Sequence, residues 1–473
     1  MRQRLYSSEN RKWWTLGAVA VGLFMIMLDN TVVNVAVPSI QRDLGVGLSE
    51  LQWIVTGYAL SFAALMLTGG KLADMLGRRR IFVIGIVIFT IASLFCGLAD
   101  TGQSLIAWRI VQGVVAALMN PATLAIISAT FPPRQRGMAI GIWAGVSALA
   151  LAIGPLVGGL LTEHLSWSWV FFVNVPVGVL GVAASYLLID ESRDMSEEQR
   201  LDLAGLLTSG LGLFALTYGL IEANTYGWSS ARIVGSFVAA AVLLGSFVIL
   251  ELRQRVPMLD LTLFRNGTFA GANVVILMVG LAMFGVFFFV SLYMQNILGF
   301  SAVQAGAAFL PMTVLIILVA PIAGKLSDRI GSRWLMTGGM TLLGIQLLYY
   351  STLGVNANFW DLLPALLIGG VGMSLTMTPS AAAIIGSVPT DKAGVGSAVM
   401  NSMRQVGGSI GVALIGAIIA AKVGDRRSPE AFVDGFSTAL VVASVFAFVG
   451  AVVAAVTVRK VRHEAPVPLV EPA

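Results

Sequence analysis

The sequence predicts an all-α integral membrane protein with fourteen transmembrane helices, arranged as two six-helix bundles plus two inserted helices. Of its 473 residues, 57% are hydrophobic and 11% are charged, whereas soluble proteins carry about 25% charged residues. Apolar runs long enough to cross a bilayer recur along the chain, and a ten-residue segment occurs twice. A soluble domain of this size could not bury so much apolar surface, so the protein must lie in a lipid bilayer.

The apolar runs define the helices in order along the chain. They fall at about 13–37, 50–70, 80–99, 104–128, 138–162, 168–189, 202–222, 232–252, 268–291, 305–325, 334–353, 360–385, 399–421 and 435–458. A membrane helix needs roughly 20 such residues. The first run is longer than the apolar region of a signal peptide and contains Asp29, Asn30 and Asn34, so we interpret it as a retained span.

Basic residues predict the orientation of the spans. Most of the 29 Lys and Arg residues fall in the N-terminus, in the turns after even-numbered spans and in the C-terminus. Arg109 and Arg404 fall within spans, and the latter is expected to reach towards the interface. Because positively charged loops stay in the cytoplasm, we predict a multi-pass protein of the cell (cytoplasmic) membrane with both termini cytoplasmic.

Several classes of function are excluded. The basic residues lie in short loops and form no stripe on a soluble face, so nucleic acid is not an expected partner. A single cysteine, Cys96, excludes a disulfide framework, and His164 and His463 are too few and too peripheral for a histidine metal centre. Both Gly-Lys pairs continue with Leu, so there is no Walker-type phosphate loop. We therefore expect neither cofactor nor metal nor enzymatic activity, and energy must come from an ion gradient or a separate subunit.

The repeated segment indicates a duplication. Residues 70–79 recur as residues 324–333 with six of ten positions identical, and each copy follows the second span of a six-span block. The predicted divisions are an N-terminal six-helix bundle at 1–200, two inserted helices at 201–262, and a C-terminal six-helix bundle with a cytoplasmic tail at 263–473. Two parallel repeats are typical of transporters, whose substrate path runs between them.

The repeated turn combines glycines, a carboxylate and arginines. Its candidate residues are Gly70, Asp74, Gly77, Arg78 and Arg79 in the first copy and Gly324, Asp328, Arg329 and Gly331 in the second. Glycine permits a tight turn, and the carboxylate can accept from backbone N–H groups or pair with a nearby arginine. A basic turn that only sets topology is the simpler alternative.

Two charged residues lie inside spans at similar depth. Asp29 is about 12 Å from the outer end of the first span, and Arg109 is about 9 Å into the fourth, at 1.5 Å per residue. A charged side chain inside a membrane is costly and therefore functional by default. Such a pair could load and release a proton, since an adjacent arginine favours the carboxylate and burial disfavours it. A static ion pair is the alternative.

The fifth span is rich in small residues and contains a proline. The residues concerned are Gly141, Gly154, Pro155, Gly158 and Gly159. Small residues let membrane helices pack closely, and proline removes a helix hydrogen bond and permits a kink. Because many membrane helices share this composition, the informative feature is the order Gly-Pro-x-x-Gly-Gly.

Further candidates are less specific. Glu222 closes the seventh span near the outer face and is either a second protonation site or a solvated interface residue. Aromatic and polar residues that suit a large lipophilic ligand are candidates for substrate binding: Asn34, Tyr58, Gln112, Phe284, Phe288, Tyr293 and Gln295. Packing against lipid is the alternative for the aromatic residues.

Together, these segments resemble the major facilitator superfamily, and within it the fourteen-spanner drug:proton antiporters. The resemblance rests on GKLADMLGRRR at 70–80, LDNTVVNVAVP at 28–38, LIAWRIVQG at 105–113, and GPLVGG at 154–159. It implies that the repeated turn acts as a conformational latch, that Asp29 and Arg109 serve proton coupling, and that the glycines of the fifth span mark an exporter. Met75 stands where the family usually has a basic residue, and Ala150 where it usually has glycine.

The expected function is therefore proton-coupled antiport that exports lipophilic, cationic drugs or toxic compounds by alternating access. The expected partners are a small lipophilic substrate, protons and the lipid bilayer, and the expected state is a monomer. A dedicated exporter of a secondary metabolite, siderophore or lipid-like molecule is the alternative. An uptake symporter or a sensor is disfavoured, because the antiporter motif is present and no sizeable cytoplasmic domain occurs.

Overall fold

A computed structural model describes residues 8–193, 201–254, 257–388, 393–424 and 428–459. Of the basic residues near the termini, Arg2, Arg4, Lys460 and Arg462 lie outside these ranges, as does His463, whereas Arg11, Lys12 and Arg459 lie within them. The helices are α1 Ser8–Leu44, α2 Leu48–Leu76, α3 Arg78–Gly97, α4 Gly102–Thr130, α5 Pro133–His164, α6 in two segments Trp169–Phe172 and Asn174–Leu188, α7 Leu203–Tyr226, α8 Ala231–Arg253, α9 Gly267–Leu292, α10 in two segments Ala302–Ala308 and Leu310–Ile330, α11 Ser332–Tyr350, α12 Phe359–Gly386, α13 Ala393–Val423 and α14 Pro429–Thr457. The all-α fold predicted from the sequence is confirmed.

Within the described ranges, thirteen helices are long and apolar enough to cross a membrane. The remaining predicted span, α11, is a 19-residue helix that carries arginine, threonine and glutamine side chains among its apolar residues. It packs against α12 and α14 like the other helices. Many apolar side chains on the outside of the bundle are exposed, as expected for a lipid-facing surface, for example Leu180, Leu187, Val242 and Leu252.

The same pairs of helices pack together in the two halves of the chain. In the N-terminal half, α1 packs against α5, α2 against α4, α3 against α4 and α6, and α1 against α6. In the C-terminal half, α9 packs against α13, α10 against α12, α11 against α12 and α14, and α9 against α14. Each helix of the C-terminal half therefore packs against the counterparts of the partners of its equivalent in the N-terminal half, with helix numbers that are higher by eight. This correspondence agrees with the duplicated segment. The predicted division at residues 200 and 262 stays a prediction.

The inserted helices α7 and α8 form a hairpin on the outside of the two halves. They pack against each other, and α7 also contacts α2 and α13. The hairpin begins where the Asp202 side chain accepts from the Gly205 N–H at 2.8 Å, which caps α7. Ser230 caps α8 in the same way. Such caps satisfy N–H groups that have no partner within their own helix.

Polar contacts join the two halves at the end of the bundle opposite to the repeated turns. Gln295 on the π-helical continuation of α9 donates to the Val35 carbonyl at 2.9 Å, and Gln52 on α2 donates to the Val412 carbonyl at 2.7 Å. The Val303 N–H donates to Glu163 at 2.7 Å. We call this end the seam end, and the end that carries residues 70–80 the turn end.

Candidate functional site

An ion pair lies inside the N-terminal half, between α1 and α4. Arg109 Nη1 donates to Asp29 Oδ2, and the two side chains are 2% and 0% exposed. The similar depth predicted for these residues therefore corresponds to direct contact. Removing one partner of a buried ion pair is strongly destabilising where the remaining charge has no other partner.

Two amides complete the surroundings of the carboxylate. Asn174 Nδ2 lies 3.1 Å and Gln112 Nε2 3.3 Å from Asp29 Oδ1. Both amides also reach Ser93 Oγ, at 3.4 Å and 2.7 Å. Together with Arg109, the two amides give both oxygens of the Asp29 carboxyl group a hydrogen-bond donor.

The guanidinium of Arg109 is held on several sides. Besides the carboxylate, it donates to Gln112 Oε1 at 2.9 Å and to the Ile54 carbonyl at 3.1 Å. Its Cζ lies 4.3 Å from the centre of the Tyr58 ring, a cation–π distance. Arg109 therefore keeps several polar and aromatic contacts if its bond to Asp29 is lost.

A break in α6 brings Asn174 to the site. The helix ends at Phe172 and restarts at Asn174, two residues before Pro176. Proline has no N–H and clashes with the preceding turn, which interrupts a regular helix. The sequence did not predict the contacts of Asn174 and Ser93. The available signal was the presence of each polar side chain inside a predicted apolar span.

The residues predicted to bind substrate do not share one wall. Tyr58 and Gln112 belong to the ion-pair network, Phe288 and Tyr293 are buried in the C-terminal half, and Gln295 lies at the seam end. The two remaining candidates are half-buried Phe284 and Asn34, which is 9% exposed. Their role in substrate binding stays a prediction.

A separate apolar cavity of about 290 Å³ lies between α2, α4 and the inserted helix α7. Trp53, Ser61, Ile110 and Phe214 are among the residues that line it. None of the predicted substrate-binding residues contributes to its wall. The cavity is therefore a lateral feature of the hairpin contact and not the predicted path between the halves.

The glycines of the fifth span make close backbone contacts in two directions. A Cβ on Gly158 would lie 2.5 Å from the Val32 carbonyl oxygen of α1, and one on Gly159 would lie 2.4 Å from the Ala302 carbonyl oxygen of α10. A Cβ on Gly306 of α10 would lie 2.2 Å from the Pro155 carbonyl oxygen. Gly154 packs on Thr31, whereas Gly141 faces open space. The Gly-Pro-x-x-Gly-Gly segment therefore forms part of the joint between the halves at the seam end.

The first copy of the repeated turn is tied to the connection after α6. Gly77 has φ +113°, which favours glycine. The Arg79 and Arg80 N–H groups each donate to the Glu191 carboxylate at 3.1 Å, and Arg78 pairs with Asp74 at 2.7 Å. Glu191 thus caps the start of α3, a role that the sequence did not predict.

The second copy has matching backbone geometry. Gly331 has φ +90° at the position of Gly77. A Cβ on Gly324 would lie 3.4 Å from the Thr378 side chain of α12, and one on Gly70 would lie 3.5 Å from Pro121 of α4. Asp328 and Arg329 lie in the last turn of α10. The latch function of both copies stays a prediction.

Glu222 lies at the seam end of α7. Its Oε1 accepts from Ser49 Oγ at 2.6 Å and from Trp53 Nε1 at 3.1 Å, so it binds the inserted hairpin to the start of α2. A structural role accounts for these contacts. Whether Glu222 also takes up protons stays a prediction.

Comparisons with known proteins place this geometry in a family. The sequence profile described as the Major Facilitator Superfamily matches residues 19–412 and 272–473. Solved structures with the same fold include a bacterial homologue of the human lysosomal transporter Spinster in an inward-facing and unoccupied conformation. It has a TM-score of 0.68 and 18% identity, and the match covers 96% of this chain and 98% of that one. An auto-inhibited peptide transporter of the POT family also has a TM-score of 0.68, with 16% identity over 98% and 99% of the two chains.

Curated relatives are more similar in sequence. The chain is 36% identical to the tetracenomycin C resistance and export protein of Streptomyces glaucescens, over 88% of this chain and 78% of that protein. It is 37% identical to the puromycin resistance protein pur8 of Streptomyces alboniger, over 93% and 89%. It is 36% identical to the multidrug resistance protein Stp of Mycobacterium tuberculosis H37Rv, over 88% and 77%. The chain is thus a multi-pass membrane transporter and not an enzyme, and it belongs to the drug-efflux transporters of the major facilitator superfamily.

Proposed function

We propose that this protein is a proton-coupled antiporter that exports lipophilic, cationic drugs across the cytoplasmic membrane by alternating access. The observation that carries the proposal is the buried network of Asp29, Arg109, Gln112 and Asn174. Asp29 is an ionisable group inside a span, and one proton changes its charge while Arg109 keeps its contacts with Gln112 and the Ile54 carbonyl.

The proposed step is a proton transfer onto Asp29. Protonation of Oδ2 removes the negative charge and replaces the acceptor of Arg109 Nη1 with a hydroxyl. Arg109 is then held by Gln112 Oε1, the Ile54 carbonyl and the Tyr58 ring. Loss of the proton restores the ion pair. The contacts that do not involve Asp29 let the arginine change partner without being left unpaired in the membrane.

Orientation follows from the basic residues of the turns. We place the turn end in the cytoplasm, since it carries the Lys and Arg residues that favour that side. The halves then meet on the outer side, where Gln295 and Gln52 hold them together. This arrangement supports an inward-facing state in which Asp29 releases a proton and substrate enters from the cytoplasm.

The close contacts of the fifth span would supply the joint for the alternation. Gly159 and Pro155 contact the start of α10, and Gly158 contacts α1. Opening of the outer side requires that the contacts of Gly159 and Pro155 with α10 separate while the two halves rock about the midplane. Asp29 lies three residues before Val32, the residue of α1 that Gly158 contacts. This proximity supports coupling between proton binding at Asp29 and opening of the outer side.

The test is proton-coupled transport by purified protein in liposomes. Asp29→Asn keeps the size of the side chain and cannot ionise, so we expect substrate-driven proton flux to be lost while the protein still folds. Asp434→Asn makes the same chemical change at an exposed site of α14 and is expected to behave like the wild type. Proton flux that is equal in the wild type and in Asp29→Asn contradicts the proposal.

A narrower substrate range is the second candidate. Two of the relatives are named for single antibiotics, tetracenomycin C and puromycin, whereas another is named for multidrug resistance. A susceptibility panel in an efflux-deficient host separates the two candidates. Protection against many unrelated dyes and drugs supports the broad exporter, and protection against one chemical class supports the dedicated one.

A further inference from the structure

Two carboxyl groups face each other at the turn end of the inserted hairpin. Asp202 precedes α7, and Glu251 lies in the last turn of α8 with 3% of its surface exposed. A Cβ on Gly205 would lie 2.3 Å from Asp202 Oδ2 and 2.6 Å from Glu251 Oε1. The two oxygens therefore meet over a position that only glycine leaves free, and they are within reach of a hydrogen bond.

The other oxygen of each carboxyl group is already satisfied. Asp202 Oδ1 accepts from the Gly205 N–H at 2.8 Å and from Gln254 Nε2 at 3.0 Å, and Glu251 Oε2 accepts from the Leu259 N–H at 2.9 Å. The facing oxygens, Oδ2 and Oε1, are buried and have no donor among the described residues. Two ionised carboxylates would leave these oxygens unpaired and repelling each other, at a high cost in a buried setting.

We propose that Asp202 and Glu251 bind one proton between them, and so form a second proton-binding site at the turn end, separate from Asp29. The proton resides on Glu251 Oε1 and is donated to Asp202 Oδ2. This bond satisfies both facing oxygens and leaves the pair with a single negative charge. Carboxyl pairs at such short range share a proton because they cannot both ionise.

The assignment of the proton to Glu251 follows from the surroundings of Asp202. Burial disfavours its charged form, but hydrogen bonds from the Gly205 backbone, Gln254, Glu251 and the Met258 backbone together outweigh burial and hold the pKa of Asp202 below its ordinary value. Asp202 is thus the anion of the pair. A metal cation is a poorer occupant, because the described residues contain no group of three or more His, Cys, Asp or Glu that could hold one.

The site lies against the first repeated turn. Besides Asp202 from α7, the charged group that acts on Glu251 is Lys71, which belongs to the turn residues of α2. The same helix contacts the segment after α8, where Thr68 Oγ1 approaches Met258 Sδ at 3.3 Å. Loss of the shared proton adds a negative charge beside Lys71. The protonation state of the Asp202–Glu251 pair therefore changes its electrostatic attraction to Lys71 in the first repeated turn. This effect does not depend on whether Asp29 is the coupling residue.

Infrared difference spectroscopy of the full chain in lipid nanodiscs tests the site directly. Between acidic and alkaline pH we expect the carbonyl stretch of a protonated carboxyl group to disappear. This band should be absent in Glu251→Gln, whose amide keeps a donor to Asp202, and present in Asp29→Asn. A band that persists unchanged in Glu251→Gln overturns the proposal.

Thermal unfolding against pH provides a second readout. The shared proton stabilises the wild type below the pH at which it is released, so the unfolding midpoint should fall as pH rises through that value. In Glu251→Gln this fall should be smaller, while Glu430→Gln, an exposed acid of α14, should follow the wild type. If Glu251→Gln does not fold, Asp202→Asn can be measured in its place, because asparagine also caps a helix. Parallel pH profiles for the wild type, Glu251→Gln and Asp202→Asn contradict a bound proton. An unfolding midpoint that differs between Na⁺ and K⁺ buffers at the same pH also contradicts it, because it indicates a bound metal cation.

Discussion

The amide nitrogen of Asn174 lies 3.1 Å from the Asp29 carboxylate, and it reaches this position because α6 is interrupted just before Asn174. The break therefore supplies a donor to a buried charge on a different helix. It also connects α6 to the ion pair of α1 and α4, so three helices of the N-terminal half depend on one carboxylate.

Replacement of Asn174 by alanine removes this donor. Hydrogen bonds to charged groups contribute about 1.5–3 kcal/mol, so we expect a loss of stability of that order and a several-fold decrease in transport. Thermal unfolding and drug-driven proton flux measure the two effects. Val175→Ala, next to the break but outside the network, should cost much less. Equal behaviour of the two variants would show that the amide does not support Asp29.

Replacement of Arg109 by lysine keeps the charge but loses the geometry. The guanidinium bonds to Asp29, Gln112 and the Ile54 carbonyl at once, whereas an ammonium on a flexible stem cannot match this fork. We expect folded protein with proton-coupled transport reduced by at least tenfold. If Arg109→Lys transports like the wild type, the positive charge at this position is sufficient and the geometry of the guanidinium is not required.

Replacement of Gly159 by valine places a side chain against the backbone of α10. The first atom of that side chain would lie 2.4 Å from the Ala302 carbonyl oxygen, so the joint at the seam end cannot close. We expect loss of transport and increased labelling of cysteines introduced on the outer side. Gly145→Val lies on the same helix where a Cβ meets no atom within 4 Å, and it should retain transport. Tight outer closure in Gly159→Val would contradict the proposed joint.

Replacement of Glu191 by alanine removes the cap of α3. Its carboxylate accepts from the Arg79 and Arg80 N–H groups, and loss of a side-chain cap costs about 0.5–2 kcal/mol. We expect a lower unfolding midpoint and slower transport, since the turn loses its anchor to the connection after α6. Asp190→Ala, which removes only an exposed ion pair with Arg11, should change stability little, because such pairs contribute little.

The helices and the ion pair were largely predictable from the sequence, because both depend on local signals. Apolar length marks each span, and a charge inside a span is rare enough to single out Asp29 and Arg109. The partners were not predictable in the same way. Asn174, Glu191 and Glu251 acquire their roles through a helix break, a turn and a hairpin contact, which bring together residues far apart in the chain. Glu251 in particular was hidden at the end of an apolar run, although it is more buried than Glu222.

Export of dications should be weaker than export of monocations. Among the described residues, Asp29 is the acid inside the N-terminal half, and it can offer a substrate at most one negative charge, which it shares with Arg109. The segment 308–326 of α10 contains no acid before its turn, and Glu222 is bound to Ser49 and Trp53 at the seam end. A second positive charge on a substrate would therefore enter the membrane interior without a partner, at a cost of several kcal/mol. Resistance and vesicle transport can be compared for a monovalent dye and a divalent biguanide-like compound of similar size. Equal export of the two compounds would show that a further acid faces the substrate path.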